Sequence, residues 1–257
     1  MDGNVTDLDF AERTGQDFAD RVALVTGAGS GIGEACATLL ARRGANVLVA
    51  DIDLEAATRV ADAIGKPAQA HQVDVTDPRA CEAMVAAAVE SFGRLDVAVN
   101  NAGIAGPRAR TGEYPLDGWA SVIAVNLSGV FYSMRAEIPA MLTNGCGSIV
   151  NMASIMGSVG SARSVAYVSA KHGVVGMTKS AALDYARQGI RVNSVGPGFI
   201  QAPMLTEESA AGVAYLHPTC RLGRVEEVAE VVAFLASDRA SNTTGSYFVA
   251  DGGYTAQ

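Results

Sequence analysis

Residues 26–33 read Thr-Gly-Ala-Gly-Ser-Gly-Ile-Gly, set between the apolar run Val22–Thr26 and an Ala-rich stretch that begins at Gly31. A glycine-rich turn in that setting lets the backbone approach a pyrophosphate. The N–H groups and dipole of the helix that follows favour its charge. Glycines alone would fit an ordinary tight turn; the strand before and the helix after give the pattern its meaning. Gly27, Ser30, Gly31, Ile32 and Gly33 are therefore candidate cofactor contacts. Asp51 closes the next apolar run, Asn46–Asp51, 18 residues after Gly33. That spacing suits a carboxylate accepting hydrogen bonds from the adenosine ribose hydroxyls. The same carboxylate repels a 2′-phosphate, and its neighbours Ser30 and Ile52 bring no cation, so NAD is expected rather than NADP. Arg42 and Arg43 read as solvated charges complementing the end of the first helix.

Outward from this junction, apolar β-rich runs alternate with helical patterns. Strands are expected at Val22–Thr26, Asn46–Asp51, His71–Val75, Asp96–Asn100, Ser148–Met152, Arg191–Val195 and Tyr247–Ala250. Helices are expected at Gly31–Arg43, Leu54–Ile64, Pro78–Phe92, Trp119–Met141, after Ser164 and at Val225–Ala236. Near-continuous apolar strands are those covered by helices on both faces, and alternating βα units give a parallel sheet with right-handed crossovers. The fold class is α/β: one doubly wound Rossmann-type domain over residues 20–257, with about seven parallel strands. Two long connections, Ile104–Pro115 and Phe199–Leu222, leave the carboxyl ends of central strands, where such sheets bind ligands. The second is the expected substrate loop, with Pro203–Leu222 expected to close as a lid.

The 257 residues are 49% hydrophobic and carry a net charge of −8, enough apolar surface for a full core and the wrong sign for a nucleic-acid partner. Residues 1–19 supply half of that charge and are expected to form an acidic arm. Cys36, Cys81, Cys146 and Cys220 lack paired spacing, and His71, His172 and His217 are scattered, so neither a disulfide framework nor a metal site is expected. No apolar run reaches membrane-spanning length, and the acidic start is unlike a signal peptide; a cytoplasmic protein with no membrane partner is expected.

Tyr167 and Lys171 stand i, i+4 on a helical stretch and project from one face. A surface Tyr–Lys contact has the same spacing. The chemical reading is that an ammonium beside the phenol lowers its pKa from ~10. The phenolate can then take an alcohol proton while the adjacent carbon gives hydride to a nicotinamide. Ser154, after the fifth strand, fits either a turn or a hydroxyl that orients the substrate oxygen.

Thr26–Gly33, Asn100-Asn101-Ala102-Gly103, Tyr167-Val-Ser-Ala-Lys171, Pro197-Gly198 and Asp251-Gly252-Gly253 occur in the order and spacing of one family. From Arg21 to Tyr254 the chain resembles the short-chain dehydrogenase/reductase family in its classical form. The resemblance implies a catalytic set of Asn126, Ser154, Tyr167 and Lys171, with Asn126 in a proton relay through water and Lys171. It implies that Asp74 and Val75 meet the adenine ring and that Asn101, Ala102 and Gly103 lie along the cofactor. Pro197, Gly198 and Ile200 would sit at its nicotinamide end, and Tyr167 and Lys171 would also touch it. Ala202 stands where the family commonly has Thr, with Gln201 before it. A homotetramer paired through the two long helices near Asn126 and Tyr167 is implied as well.

The expected activity is interconversion of a secondary alcohol and a ketone on a cyclic or hydroxylated small molecule. Reduction of a 3-oxoacyl thioester and non-catalytic dinucleotide sensing stand as the alternatives. No Gly-x-Ser-x-Gly elbow or phosphate-binding Gly-Lys-Ser/Thr loop competes. His172 is expected to point about 100° away from Lys171, and His217 is a possible substrate contact on the long loop.

Overall fold

The structure, a computed structural model, describes residues 15–202 and 212–256. The strands are Val22–Thr26 (β1), Asn46–Asp51 (β2), Ala68–Gln72 (β3), Val97–Asn100 (β4), Gly147–Met152 (β5), Ile190–Pro197 (β6) and Tyr247–Ala250 (β7). They form one parallel sheet in the order 3-2-1-4-5-6-7. The order reverses between β1 and β4, which opens a crevice at their carboxyl ends. The helices are Gly31–Arg42 (α1), Leu54–Ile64 (α2), Pro78–Phe92 (α3), Leu116–Ile123 (α4), Gly129–Asn144 (α5), Val165–Tyr185 (α6) and Val225–Ala236 (α7).

Local chemistry sets several of these boundaries. Asp53 accepts from the Ala56 N–H at 3.1 Å and caps α2. Asp77 accepts from Arg79 N–H at 2.9 Å, just ahead of Pro78 in the first turn of α3. Such caps satisfy N–H groups that the helix itself leaves free. The sheet splits the core in two. One cluster joins β1 and β2 to α1, α2 and α7 through Val25, Leu40, Val49, Val60 and Val232. The other joins the opposite face to α3, α5 and α6 through Leu24, Met84, Met141, Ile149 and Val174.

Four expectations change. The third strand lies at Ala68–Gln72 rather than His71–Val75. It is a half-exposed edge strand, and the apolar Val73 and Val75 that drew the expectation are buried beyond its end, in the α3-side core. The expected single helix Trp119–Met141 is interrupted by a π-turn over Ala124–Ser128 between α4 and α5. The acidic arm does not extend to residue 19. Phe18 is fully buried in the core, its N–H bonds to the Arg43 carbonyl, and the Asp17 carboxylate faces Arg43 and Arg239. Arg43, expected to be solvated, is also paired with Glu230. The rest of the arm, residues 1–14, and most of the expected lid, residues 203–211, lie outside the described residues. No described helix is long and apolar enough to cross a membrane.

Candidate active site

The site is assembled where β1, β4, β5 and β6 end. At the first crevice wall the turn after β1 is shaped by close approach. A Cβ at Gly33 would lie 2.1 Å from the Gly27 carbonyl oxygen, so α1 can start this near β1 only with glycine there. Ser30 is the N-cap of α1, and its side chain makes no capping bond. The first N–H groups of the helix are thus left for a ligand, and a phosphate suits them. Asn101 locks the turn from the β4 side. Its side-chain N–H groups donate to the carbonyls of Thr26 and Gly27, each at 3.0 Å. The N–H groups of Asn101 and Ala102 both bond the Thr26 hydroxyl, at 3.0 and 3.2 Å.

Asp51 ends β2 beside this turn, accepting from Gly29 N–H at 2.8 Å and from Asp53 N–H at 3.0 Å. Sequence reasoning missed Arg59. Its guanidinium donates to the Gly29 carbonyl at 2.7 Å and pairs with Glu34, which raises its pKa further. Thirty residues separate Arg59 from Gly29, and no local pattern signals the contact. Asp74 is exposed and turns back on Thr76, while Val75 is buried beside it. These residues fit the adenosine and pyrophosphate parts of a nicotinamide dinucleotide.

The second cluster brings together Asn126, Ser154, Tyr167 and Lys171. The π-turn carries Asn126, which is wholly buried. Its Oδ1 accepts from Ile104 N–H and its Nδ2 donates to the Ile104 carbonyl, both at 2.8 Å. The amide thereby fixes the segment leaving β4. Gly103 sits between this amide and Lys171: a Cβ built on it would lie 3.4 Å from Asn126 Oδ1 and 3.7 Å from Lys171 Nζ. Lys171 is 3% exposed; its Nζ donates to the Met152 carbonyl at 2.7 Å and lies 5.6 Å from the centre of the Tyr167 ring. Ser154 caps the short turn Ile155–Gly157, accepting from Met156 N–H at 3.2 Å.

Electrostatics correct one expectation. Burial raises the Tyr167 phenol above its ordinary value, and a side-chain hydrogen bond with Ser154 draws it back. Burial also lowers Lys171 to about 8. The lysine was expected to make the phenol more acidic. Instead burial outweighs the Ser154 contact and favours the neutral phenol, because burial disfavours phenolate and ammonium alike.

Tyr247 on β7 is a further residue the sequence did not reveal. Its hydroxyl donates to the Ser154 carbonyl at 2.6 Å, reaching across β6. A Cβ on Gly196 would meet that hydroxyl at 2.3 Å, so the glycine makes the passage. His217, the possible substrate contact on the long loop, is packed beside Phe199. It is 2% exposed, its Nε2 accepts from Phe199 N–H at 3.2 Å, and its ring packs edge-on against Phe199. It secures the chain after Pro197 and Gly198, where Ile200 pairs with Gly223. Ala202 packs toward the core and Gln201 is exposed. His172 is exposed.

Comparison with known proteins places this geometry. Residues 27–255 match the family model described as enoyl-(acyl carrier protein) reductase. The chain is 53% identical to a cyclohexanol dehydrogenase of Acinetobacter sp. (strain SE19), covering 93% of this chain and 97% of that one. It is 47% identical to a cis-4-hydroxycyclohexanecarboxylate dehydrogenase of Sinomonas cyclohexanicum, covering 94% and 99%. A crystal structure of levodione reductase superposes with a TM-score of 0.90 at 37% identity, covering 93% of this chain and 99% of the other.

Proposed function

We propose that this chain, which belongs to the short-chain dehydrogenase/reductase family and is an oxidoreductase acting on CH–OH groups, is an NAD-dependent dehydrogenase of alicyclic secondary alcohols. The observation that carries the reading is the meeting of Tyr167, Ser154, Lys171 and Asn126 beside the glycine turn, at the crevice of the sheet. The names of the relatives support the substrate class, because the two dehydrogenases are named for six-membered rings bearing a hydroxyl. Asp51 supports NAD, since a second negative charge from a 2′-phosphate would sit against it. The competing 3-oxoacyl-thioester reduction is typically linked to NADP, which Asp51 opposes.

When bound, oxidised nicotinamide supplies the hydride acceptor and a positive charge near the phenol. Tyr167 takes the alcohol proton and Ser154 donates to the substrate oxygen as negative charge gathers there. Lys171 would hold the cofactor ribose, and its ammonium would offset part of the cost of forming the buried phenolate. Asn126, its side-chain amide engaged by Ile104, would serve the proton relay through water and Lys171 that the family resemblance implies. A panel of cyclic, acyclic and acyl-thioester substrates, followed by NADH absorbance, tests the reading. The cyclohexanol class should be turned over best; cofactor binding with no turnover on any alcohol would sink it.

The pH dependence has a definite sign. Oxidation needs the deprotonated phenol, so its rate should rise with pH. The Ser154 contact lowers the phenol's pKa, so Ser154→Ala should move the rise to higher pH as well as slow the reaction. A pH–rate profile for this variant that coincides with the parent would remove Ser154 from this role.

Assembly and location belong to the same proposal. Leu116 of α4, Phe131 of α5 and Leu183 of α6 are 86%, 49% and 84% exposed, an apolar surface that paired long helices in a homotetramer would cover. Light scattering should give the mass of four chains, and a monomer would contradict it. All four cysteines are free, which suits the reducing cytoplasm.

A further inference from the structure

Glu137 lies on α5 and is wholly buried, yet among the described residues no lysine or arginine pairs with it. Its surroundings can be assigned atom by atom, starting from α6. Thr178 donates its hydroxyl proton to the Val174 carbonyl at 2.8 Å, so its oxygen accepts from Asn151 Nδ2 at 3.0 Å. That fixes Asn151 Oδ1 as an acceptor, and it receives an N–H from Asn100 Nδ2 at 3.0 Å. The second N–H of Asn100 Nδ2 goes to Glu137 Oε2 at 3.1 Å. Two buried oxygens are then left without a partner: Asn100 Oδ1 and Glu137 Oε1, on the same facing amide and carboxyl group. Two acceptors cannot satisfy each other, and each orphan buried this way has given up its hydrogen bond to water without replacement. One proton on Glu137 Oε1, donated to Asn100 Oδ1, satisfies both.

We propose that Glu137 is a neutral carboxylic acid in the native fold, closing a two-bond ring with Asn100, and is a positioning residue for the catalytic site. The positioning runs along the chain. Asn100 directly precedes Asn101, which holds the glycine turn. Asn151 directly precedes Met152, whose carbonyl holds Lys171. The acid thus ties the ends of β4 and β5 to α5, and through Thr178 to α6. Burial pushes the Glu137 carboxyl up to about 8, with the Asn100 bond acting the other way, in agreement with the geometry. The titratable group facing it from α3 is the Cys81 thiol, itself pushed up to about 11 by burial and near Ser133. Asn100 of β4, Asn151 of β5 and Thr178 of α6 do not titrate.

The positioning role rests on the catalytic reading above, but the protonation state does not, and the experiment separates them. The native state holds a proton that the unfolded chain releases near 4.5 and the fold releases near 8. Stability from this group is therefore complete below pH 4.5 and is lost as pH rises through about 8. The folding constant of the parent, relative to Glu137→Gln, should fall by up to about tenfold per pH unit across that window. The amide supplies an N–H to Asn100 Oδ1 at every pH and is the reference. An infrared band of a protonated carboxyl group should be present in the parent at pH 7 and missing from Glu137→Gln. A flat difference between the two proteins, with a carboxylate band instead, overturns the neutral acid.

For positioning, Glu137→Leu should lower kcat and NAD affinity by about tenfold each, with Glu137→Gln restoring both. If Glu137→Leu only lowers the melting temperature, and kcat is unchanged where it is folded, the positioning role is overturned. If the parent oxidises no alcohol, the catalytic reading has failed, while the titration still decides the state of Glu137.

Discussion

Tyr167→Phe is expected to lower alcohol turnover by about 100- to 10,000-fold, the range that general acid–base catalysis supplies, while NAD affinity and melting temperature stay close to the parent. The substitution removes one oxygen. The ring keeps its place against the small cluster of Val122, Ala166 and Ala170, so the fold loses little. What goes is the group that takes the substrate proton. Lys171→Ala should behave differently, reducing turnover and cofactor affinity together, because the ammonium serves both the phenol and the ribose. Steady-state kinetics with a good substrate and a separate measurement of NAD binding distinguish the two. Near-normal turnover by Tyr167→Phe would show that another group moves the proton.

Asp51→Ala should weaken NAD by roughly 10- to 100-fold, since hydrogen bonds to a charged group are worth about 1.5–3 kcal/mol. The preference for NAD over NADP should shrink at the same time. Two contributions add in this direction. The ribose hydroxyls lose their acceptor, and a 2′-phosphate no longer meets a carboxylate. Arg59, held at the Gly29 carbonyl, is then a positive charge on the same turn that such a phosphate could meet. Part of the NAD loss will come from the turn itself, because Asp51 also accepts from the Gly29 and Asp53 N–H groups. Asp51→Asn, which keeps an acceptor and removes the charge, separates these effects. Dissociation constants for both cofactors provide the check, and equal affinities in the unmutated protein would defeat the reading of Asp51.

Much of this architecture can be read from sequence because its signals are local. β1, β2, α2 and α3 begin and end where the apolar runs and helical patterns place them. The glycine turn, Asp51 and the Tyr167–Lys171 pair were likewise visible as short patterns. The missed features depend on contacts across the fold. An apolar pair, Val73 and Val75, looks like strand but is buried past the strand's end. The π-turn at Asn126 carries an amide whose partner, Ile104, comes from another segment. Tyr247 and Arg59 act on groups 93 and 30 residues away. Glu137 reads as an ordinary helix charge until Asn100 is brought against it. The acidity of Tyr167 is hidden for a related reason: helical spacing shows that Lys171 is near, but not that both groups are buried.

The central claim is that hydride leaves the carbinol carbon of an alicyclic alcohol for the nicotinamide while Tyr167 removes the hydroxyl proton. Cyclohexanol deuterated at the carbinol carbon, incubated with NAD and the purified protein, tests it most directly. Deuterium should appear in the reduced nicotinamide in equal amount to the ketone formed, and Tyr167→Phe should suppress both. Ketone formed with the deuterium lost to water, or no ketone at all with NAD bound, would contradict the account.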